Sequence, residues 1–162
     1  DTITVILPRC PRYNGRMGYA ARRWIGYQNV SCQDEYADMT AETVKAFMVE
    51  KKETVENIEE FCSVPGIDMI QFGPNDFALS SGFNMKDDPE RVKEAEKKVI
   101  RTAMDHGIRP RCELNSAEEG KYYLDLGVRD FSLGLELRIL QQFLTKEGDK
   151  LLNFMAENGL IR

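Results

Sequence analysis

The chain has 162 residues, of which 42% are hydrophobic and 30% charged, a balance that belongs to a globular protein and excludes a disordered or membrane-embedded polymer. Its 22 basic and 27 acidic residues leave a formal net charge of −5, which argues against a nucleic-acid partner, because phosphates recruit basic surfaces. The longest apolar runs fall well short of the roughly 20 residues a membrane-spanning helix needs.

Residues 1–45 are the least regular. Ile3 to Leu7 has the composition of a strand, Pro8, Pro11 and Gly15 mark a loop, and Tyr19 to Val30 reads as helical. Arg22 and Arg23 beside Trp24 form a local basic spot that reads as solvated surface. The chain opens on Asp1 with no charged segment leading into an apolar one, so no signal peptide is expected, and the sequence is expected to start after processing or partway through a longer polypeptide.

Strands and helices alternate from residue 46 onward. Ala46 to Val49 is a short continuous apolar run, the pattern of a buried parallel strand. Val55, Ile58, Phe61 and Cys62 recur at helical spacing, and Pro65-Gly66 ends that helix. Asp68 to Phe72 predicts the second strand, closed by Gly73-Pro74. Asp88 followed by Pro89 opens a helix as a cap with proline in the first turn. Its apolar stripe is Val92, Ala95, Val99 and Ala103, and Gly107 stops it.

Ile108 to Cys112 then reads as a strand made irregular by Pro110. Ser116 and Glu119 have capping-box spacing, opening a helix that runs through Tyr123, Leu124 and Leu126 to Gly127. Asp130 to Leu133 predicts the fourth strand. A helix carrying Leu137, Leu140, Phe143 and Leu144 follows, with a further helical stretch from Asp149 to Ala156.

Four strands separated by helices, without hairpin signals, imply parallel pairing through βαβ units. Residues 1–162 are therefore expected to form one α/β unit: an irregular loop and helix over 1–45, then four βα units over 46–162. Four such units are half of an eight-stranded barrel, which needs about 250 residues; an open sheet of four or five strands is the other reading. A half-barrel should expose two sheet edges and an apolar inner face, so association or a fragment is expected.

Chemistry in such folds gathers at the carboxyl ends of the strands. Glu50 ends the first strand and Asp76 lies just past the second, 26 residues on. Two carboxylates converging on one rim make a hard oxygen site for magnesium or manganese; two solvated acids are the competing reading. In Gly73-Pro74-Asn75-Asp76, glycine permits close backbone approach and proline fixes the turn. The N–H groups of Asn75 and Asp76 would then face an anion, unless the turn is only a strand exit. Cys10, Cys32, Cys62 and Cys112 form no CxxC pair, and His106 is the only histidine. A zinc site is not expected, and the cysteines read as reduced thiols of a cytoplasmic protein. His106, at a helix end before Gly107, reads as a C-terminal cap rather than a base.

The stretch from Val64 to Gly82, VPGIDMIQFGPNDFALSSG, resembles the signature of the HpcH/HpaI aldolases, members of the phosphoenolpyruvate/pyruvate barrel superfamily. Val49-Glu50 with Glu53 to Ile58 is similar to that family's strand five and the helix after it, and Gly127 to Gly134 to its strand eight. Gly15-Arg16-Met17-Gly18 is similar, less closely, to its arginine–glycine loop.

The resemblance implies strands five to eight of a (β/α)8 TIM-type barrel, incomplete in this chain. It implies Glu50 and Asp76 as ligands of Mg2+ or Mn2+, with Co2+ also admissible, and a 2-oxo acid such as pyruvate as substrate. Asn75 and Asp76 would hold the substrate carboxylate, with Gly73 and Met48 lining its site. The implied reaction is class II aldol cleavage or condensation of a hydroxy-2-oxo acid, the metal acting as a Lewis acid on the enolate oxygen.

Met48 stands where the family often has a substrate-contacting glutamine, and Glu136 stands where an aspartate is common. The family's histidine base and catalytic arginine have no counterpart here; Arg16 is the one weak catalytic candidate. A homo-oligomer or a complementing N-terminal half is expected to supply them. The rival readings are a citrate-lyase-type or malyl-coenzyme A-type lyase and a non-catalytic binding or scaffold half-barrel.

Overall fold

A computed structural model of the chain describes Gly18, Tyr19 and residues 32–161. The expected strand at Ile3 to Leu7, the Arg16 loop and nearly all of the helix expected over Tyr19 to Val30 lie outside the described residues. Four strands, β1 (Ala46–Val49), β2 (Met69–Phe72), β3 (Arg109–Leu114) and β4 (Asp130–Leu133), form one sheet in the order of the chain. Every neighbouring pair is parallel. The crossovers are helical: α2 (Lys52–Glu56), α3 (Ile58–Cys62) and α4 (Pro74–Ser80), then α5 (Pro89–Asp105) and α6 (Gly120–Asp125). Helix α1 (Gln33–Glu42) precedes the sheet and α7 (Glu136–Glu157) follows it.

The apolar residues explain this layering. Val49, Ile70, Phe72, Cys112 and Leu114 alternate onto one face of the sheet, where Val55, Ile58, Phe61, Val92, Val99 and Ile100 from the helices cover them. Val49, Ile58 and Val99 are fully enclosed, each contributing roughly 1.5–3 kcal/mol of burial. Asp68 ties the amino ends of β1 and β2 together. Its carboxylate accepts the Lys45 N–H at 2.7 Å and faces the buried Lys45 Nζ at 3.8 Å.

The other face of the sheet is open and carries Met48, Gln71, Arg109, Arg111, Glu113, Asp130 and Ser132. The expectation of an apolar inner face is therefore corrected: the alternation in β3 puts arginine, arginine and glutamate on it. The largest run of uncovered apolar residues lies on α7 instead. Leu137, Leu140, Phe143, Leu144, Leu151 and Phe154 are all exposed, and no residue of this 22-residue helix is buried.

The elements differ from expectation in six places. Helix α4 stands where only a turn at Gly73-Pro74 was expected. Helix α1 was not foreseen; its N-cap is Cys32, whose Sγ accepts the Glu35 N–H at 3.4 Å, in place of the usual oxygen. The helix through Val55 and Cys62 breaks at Asn57, with φ −106° and ψ 33°, and the Asn57 side-chain amide donates to Glu53 O at 2.8 Å. Ser116 makes no side-chain cap; Glu119 accepts from Asn115 N–H at 2.8 Å, and the turn that follows, Ala117–Glu119, is 3-10. β3 reaches Leu114. The two helical stretches at the end are one helix running through Gly148.

Pro110 fits its strand for a definable reason. Arg109 N–H donates to Asp68 O, on the β2 side. Successive residues alternate, so the nitrogen of Pro110 faces β4, and the β3–β4 ladder begins only at Arg111↔Asp130. Asp88 caps α5 as expected, accepting the Arg91 N–H at 3.2 Å.

Candidate active site at the carboxyl ends of the strands

The sheet positions Glu50 at the end of β1, and β2 hands the chain to α4 through Gly73-Pro74. Gly73 N–H donates to Val49 O at 2.9 Å, which aligns the two strand ends. Ser80 then pins α4 to the segment after β1. Its Oγ accepts the Lys52 N–H at 2.9 Å and lies 3.3 Å from Glu50 O. These bonds fix Glu50 relative to the first turn of α4, where Asn75 and Asp76 sit.

Gly73 is glycine because Glu50 lies against it. A Cβ built there would stand 2.9 Å from Glu50 Cβ, 3.3 Å from Glu50 Oε2 and 3.4 Å from Met48 Cγ. The backbone at Gly73 has φ −107°, so space rather than dihedral freedom makes the demand. In α4 the first helical bond runs from Phe77 N–H to Gly73 O. The N–H groups of Asn75 and Asp76 precede it and have no partner within the helix.

A cavity of about 290 Å3 occupies this rim. Met48, Glu50, Gly73, Asn75 and Asp76 all line it, so the five residues singled out in the sequence are brought together. Arg16 lies outside the described residues. His106 is not at the site. It caps the C-terminus of α5 as expected, its Nε2 2.8 Å from Glu59 Oε2, at the amino-end rim of the sheet.

Sequence reasoning missed several of the polar side chains. Gln71, Arg111, Glu113 and Arg138 also line the cavity. The period-two alternation of β3, which puts Arg111 and Glu113 on one face with Arg109, was the signal that could have found two of them. Gln71 follows from the same logic, being register-paired with Met48. Arg138 depends on where α7 leaves the sheet, which no local pattern encodes. β2 and β3 pair over two residues only, whereas β1–β2 and β3–β4 pair over four. Along that unpaired stretch the cavity reaches the helix layer at Val99 and Glu96.

Electrostatics divides the cavity. Glu50 and Asp76 make its acidic end, with Lys51 Nζ 3.7 Å from Glu50 Oε1. At the deep end burial raises the Glu96 carboxyl above the ordinary range, against the opposing pull of Tyr123, which donates to it at 2.9 Å, and Tyr122, at 3.3 Å. Burial, helped by Glu96, pushes the neighbouring Cys112 thiol up to about 12.

The donor set fits a hard divalent cation. Two carboxylates supply oxygen, and magnesium sites commonly use one or two carboxylates, with water and substrate filling the remainder. Among the described residues no group of three or more His, Cys, Asp or Glu is arranged to hold a metal. The absence of a Cβ at Gly73 lets the Glu50 side chain pack against that turn, its Oε2 3.3 Å from where the Cβ would stand.

A parallel α/β sheet with acids at the carboxyl ends of its strands defines a class of proteins that work on ligands at that rim. Within that class, a sequence profile of the HpcH/HpaI aldolase/citrate lyase family matches residues 12–137, and the chain belongs to this family. It is 26% identical over 110 residues to a hydroxypyruvate/pyruvate aldolase of Cupriavidus necator, a match covering 67% of this chain and 41% of that aldolase. The chain thus spans less than half the length of this curated relative. A solved HpcH/HpaI aldolase/citrate lyase family protein of Burkholderia cenocepacia superposes with a TM-score of 0.67 at 19% identity, covering 90% of this chain and 56% of that one. Macrophomate synthase superposes with a TM-score of 0.65 at 17% identity, covering 88% and 51%. These superpositions establish a fold of the aldolase TIM-barrel type. Among the described residues no helix is long and apolar enough to cross a membrane.

Proposed function

We propose that the chain carries strands five to eight of a (β/α)8 barrel and the metal-binding side of a carbon–carbon lyase acting on a hydroxy-2-oxo acid. Glu50 and Asp76 would hold Mg2+ or Mn2+. The observation that carries this reading is the seating of the Glu50 carboxylate over Gly73 in the cavity that Asp76 also lines. When bound, the ion supplies Lewis acidity toward the 2-oxo oxygen of the substrate.

The protein's own groups do the rest. The N–H groups of Asn75 and Asp76 hold the substrate carboxylate and fix its orientation. Phe77, buried beneath them, keeps α4 in place. Met48 offers a thioether where an amide donor would touch substrate, so hydrogen bonding at that point passes to neighbouring strands. The rim holds no histidine among the described residues, and the general base comes from a second copy or a complementing N-terminal half.

The test is calorimetric titration of Mn2+ into the chain and into Glu50→Gln and Asp76→Asn. The reading predicts one site, weakened at least about tenfold by either change, since each removes a charged ligand. Unchanged binding in both variants would refute it.

A further inference from the structure

Gln71 lines the cavity one strand over from Met48, its register partner. The residue is half-buried. Its Oε1 is fully enclosed and accepts no hydrogen bond among the described residues. An amide oxygen cut off from water and left without a donor destabilises the fold that holds it.

The surroundings explain why this oxygen stays unpaired. Met48, on one side, has a thioether and no donor. On the other side the β2–β3 ladder ends at Ile70↔Pro110. Gln71 therefore stands at the head of the unpaired stretch, with no residue of β3 in register. The guanidinium groups of β3 are committed toward β4. Arg111 donates to Ser132 Oγ at 2.7 Å, and Arg109 is bound by both oxygens of Asp130.

Two features leave the amide open to a ligand. No bond to the protein anchors its oxygen, and the terminal torsion of a glutamine is soft. Gln71 also lies two residues before Gly73, so both share one face of β2. That puts the amide one side-chain layer below the turn that carries Asn75 and Asp76.

We infer that Gln71 is a specificity-determining residue, whose Oε1 accepts a hydrogen bond from the hydroxyl of a hydroxy-2-oxo acid. The inference rests on the proposed 2-oxo acid site at Glu50 and Asp76, and names the group that reads the hydroxyl there. A 2-oxo acid without that hydroxyl offers no donor and leaves the oxygen as unpaired as it is in the free chain. The same feature carries a trade-off. Methionine at position 71 has similar length and no amide, so Gln71→Met should stabilise the free chain while abolishing the preference for the hydroxyl. A glutamine kept for structure alone would show the opposite change in stability.

Two measurements on the full chain test this. In the first, the chain is titrated in the presence of Mn2+ with 4-hydroxy-2-oxopentanoate and with 2-oxopentanoate, which lacks only the hydroxyl. The wild type should prefer the hydroxylated acid roughly tenfold, the scale of one hydrogen bond to a group otherwise unpaired. In Gln71→Met the two acids should bind alike, with Mn2+ affinity unchanged. The Gln71 side-chain N–H resonances, assigned by their loss in the variant, should shift more with the hydroxylated acid. In the second, urea unfolding of the metal-free proteins should give Gln71→Met the higher midpoint.

Equal affinities in the wild type, a preference that survives in Gln71→Met, a lower midpoint for the variant, or failure of both acids to bind would overturn the inference. The metal reading fails separately. A chain that takes up no Mn2+ yet prefers the hydroxylated acid through Gln71 would sink that reading and leave this one standing. Mn2+ uptake that depends on Glu50 and Asp76, with equal affinity for the two acids, would do the reverse.

Discussion

Replacing Gly73 with alanine isolates the contact on which the site depends. The added methyl would meet Glu50 Cβ at 2.9 Å and Glu50 Oε2 at 3.3 Å. The first distance is well inside the carbon–carbon optimum of about 3.5–4.0 Å. Glu50 Cβ cannot swing aside as a side-chain tip can, so the ends of β1 and β2 must part by several tenths of an ångström. The backbone at Gly73, with φ −107°, accepts alanine without dihedral strain, so the whole effect is steric. Overpacking of this kind costs about 1–3 kcal/mol, a fall in melting temperature of roughly 2–12 °C at this chain length.

The informative comparison is Gly107→Ala. There φ is +72° and nothing lies within 4 Å of the new methyl. It should destabilise through backbone strain of order 1 kcal/mol, far from the rim. Denaturant unfolding gives both stabilities, and Mn2+ calorimetry gives both affinities. Both variants should lose stability, but only Gly73→Ala should lose affinity, by roughly 10–100-fold, the usual scale for disturbing a ligand's support. Full Mn2+ affinity in Gly73→Ala, or an equal loss in Gly107→Ala, would refute the reasoning.

Three further outcomes follow from the structure. Asp68→Ala removes the acceptor of the Lys45 N–H and the partner of its buried ammonium; urea unfolding should show a loss of about 1–3 kcal/mol with an unchanged slope. Asp88→Ala deletes the side-chain cap of α5 and should cost about 1 kcal/mol in the same assay. Glu96 gives a pH signature. Burial raises its folded carboxyl above the unfolded value, so the folded state holds the proton more tightly. Stability tied to this group is full below the unfolded carboxylate range and declines as pH rises through the folded one. Glu96→Gln should therefore exceed the wild type in denaturation midpoint at neutral pH, with the gap closing as pH falls below the carboxylate range; a gap independent of pH would contradict this origin.

The regular part of the fold was legible because its patterns are local. The run Ala46 to Val49, the cap at Asp88 and the glycine after α5 each encode their element without help from the rest of the chain. Pro110 looked disruptive in the sequence and is harmless because its nitrogen faces β4 before that ladder starts. Helix α1 stayed hidden because its cap is a cysteine and its sequence, QDEYADMTAE, buries only Tyr36, Ala37 and Thr40. Glu50, Gly73, Asn75 and Asp76 were found because βα spacing and one turn motif place them on a common rim. The basic half of that cavity was not, since Arg111 and Arg138 meet only through the pairing of β3 with β4 and the course of α7. The polar open face was misjudged for a related reason: alternation in β3 decides it, and a continuous-run reading of the strands overlooks alternation.

The central claim is that a metal and a 2-oxo acid share the site made by Glu50 and Asp76. The most direct measurement is the affinity of the chain for pyruvate with and without saturating Mn2+, repeated in Glu50→Gln. Two ligands that share one site are reciprocally coupled. The account predicts pyruvate binding strengthened at least about tenfold by Mn2+, and no such coupling in the variant. Pyruvate affinity indifferent to Mn2+, or a coupling that survives the loss of the Glu50 carboxylate, would contradict it.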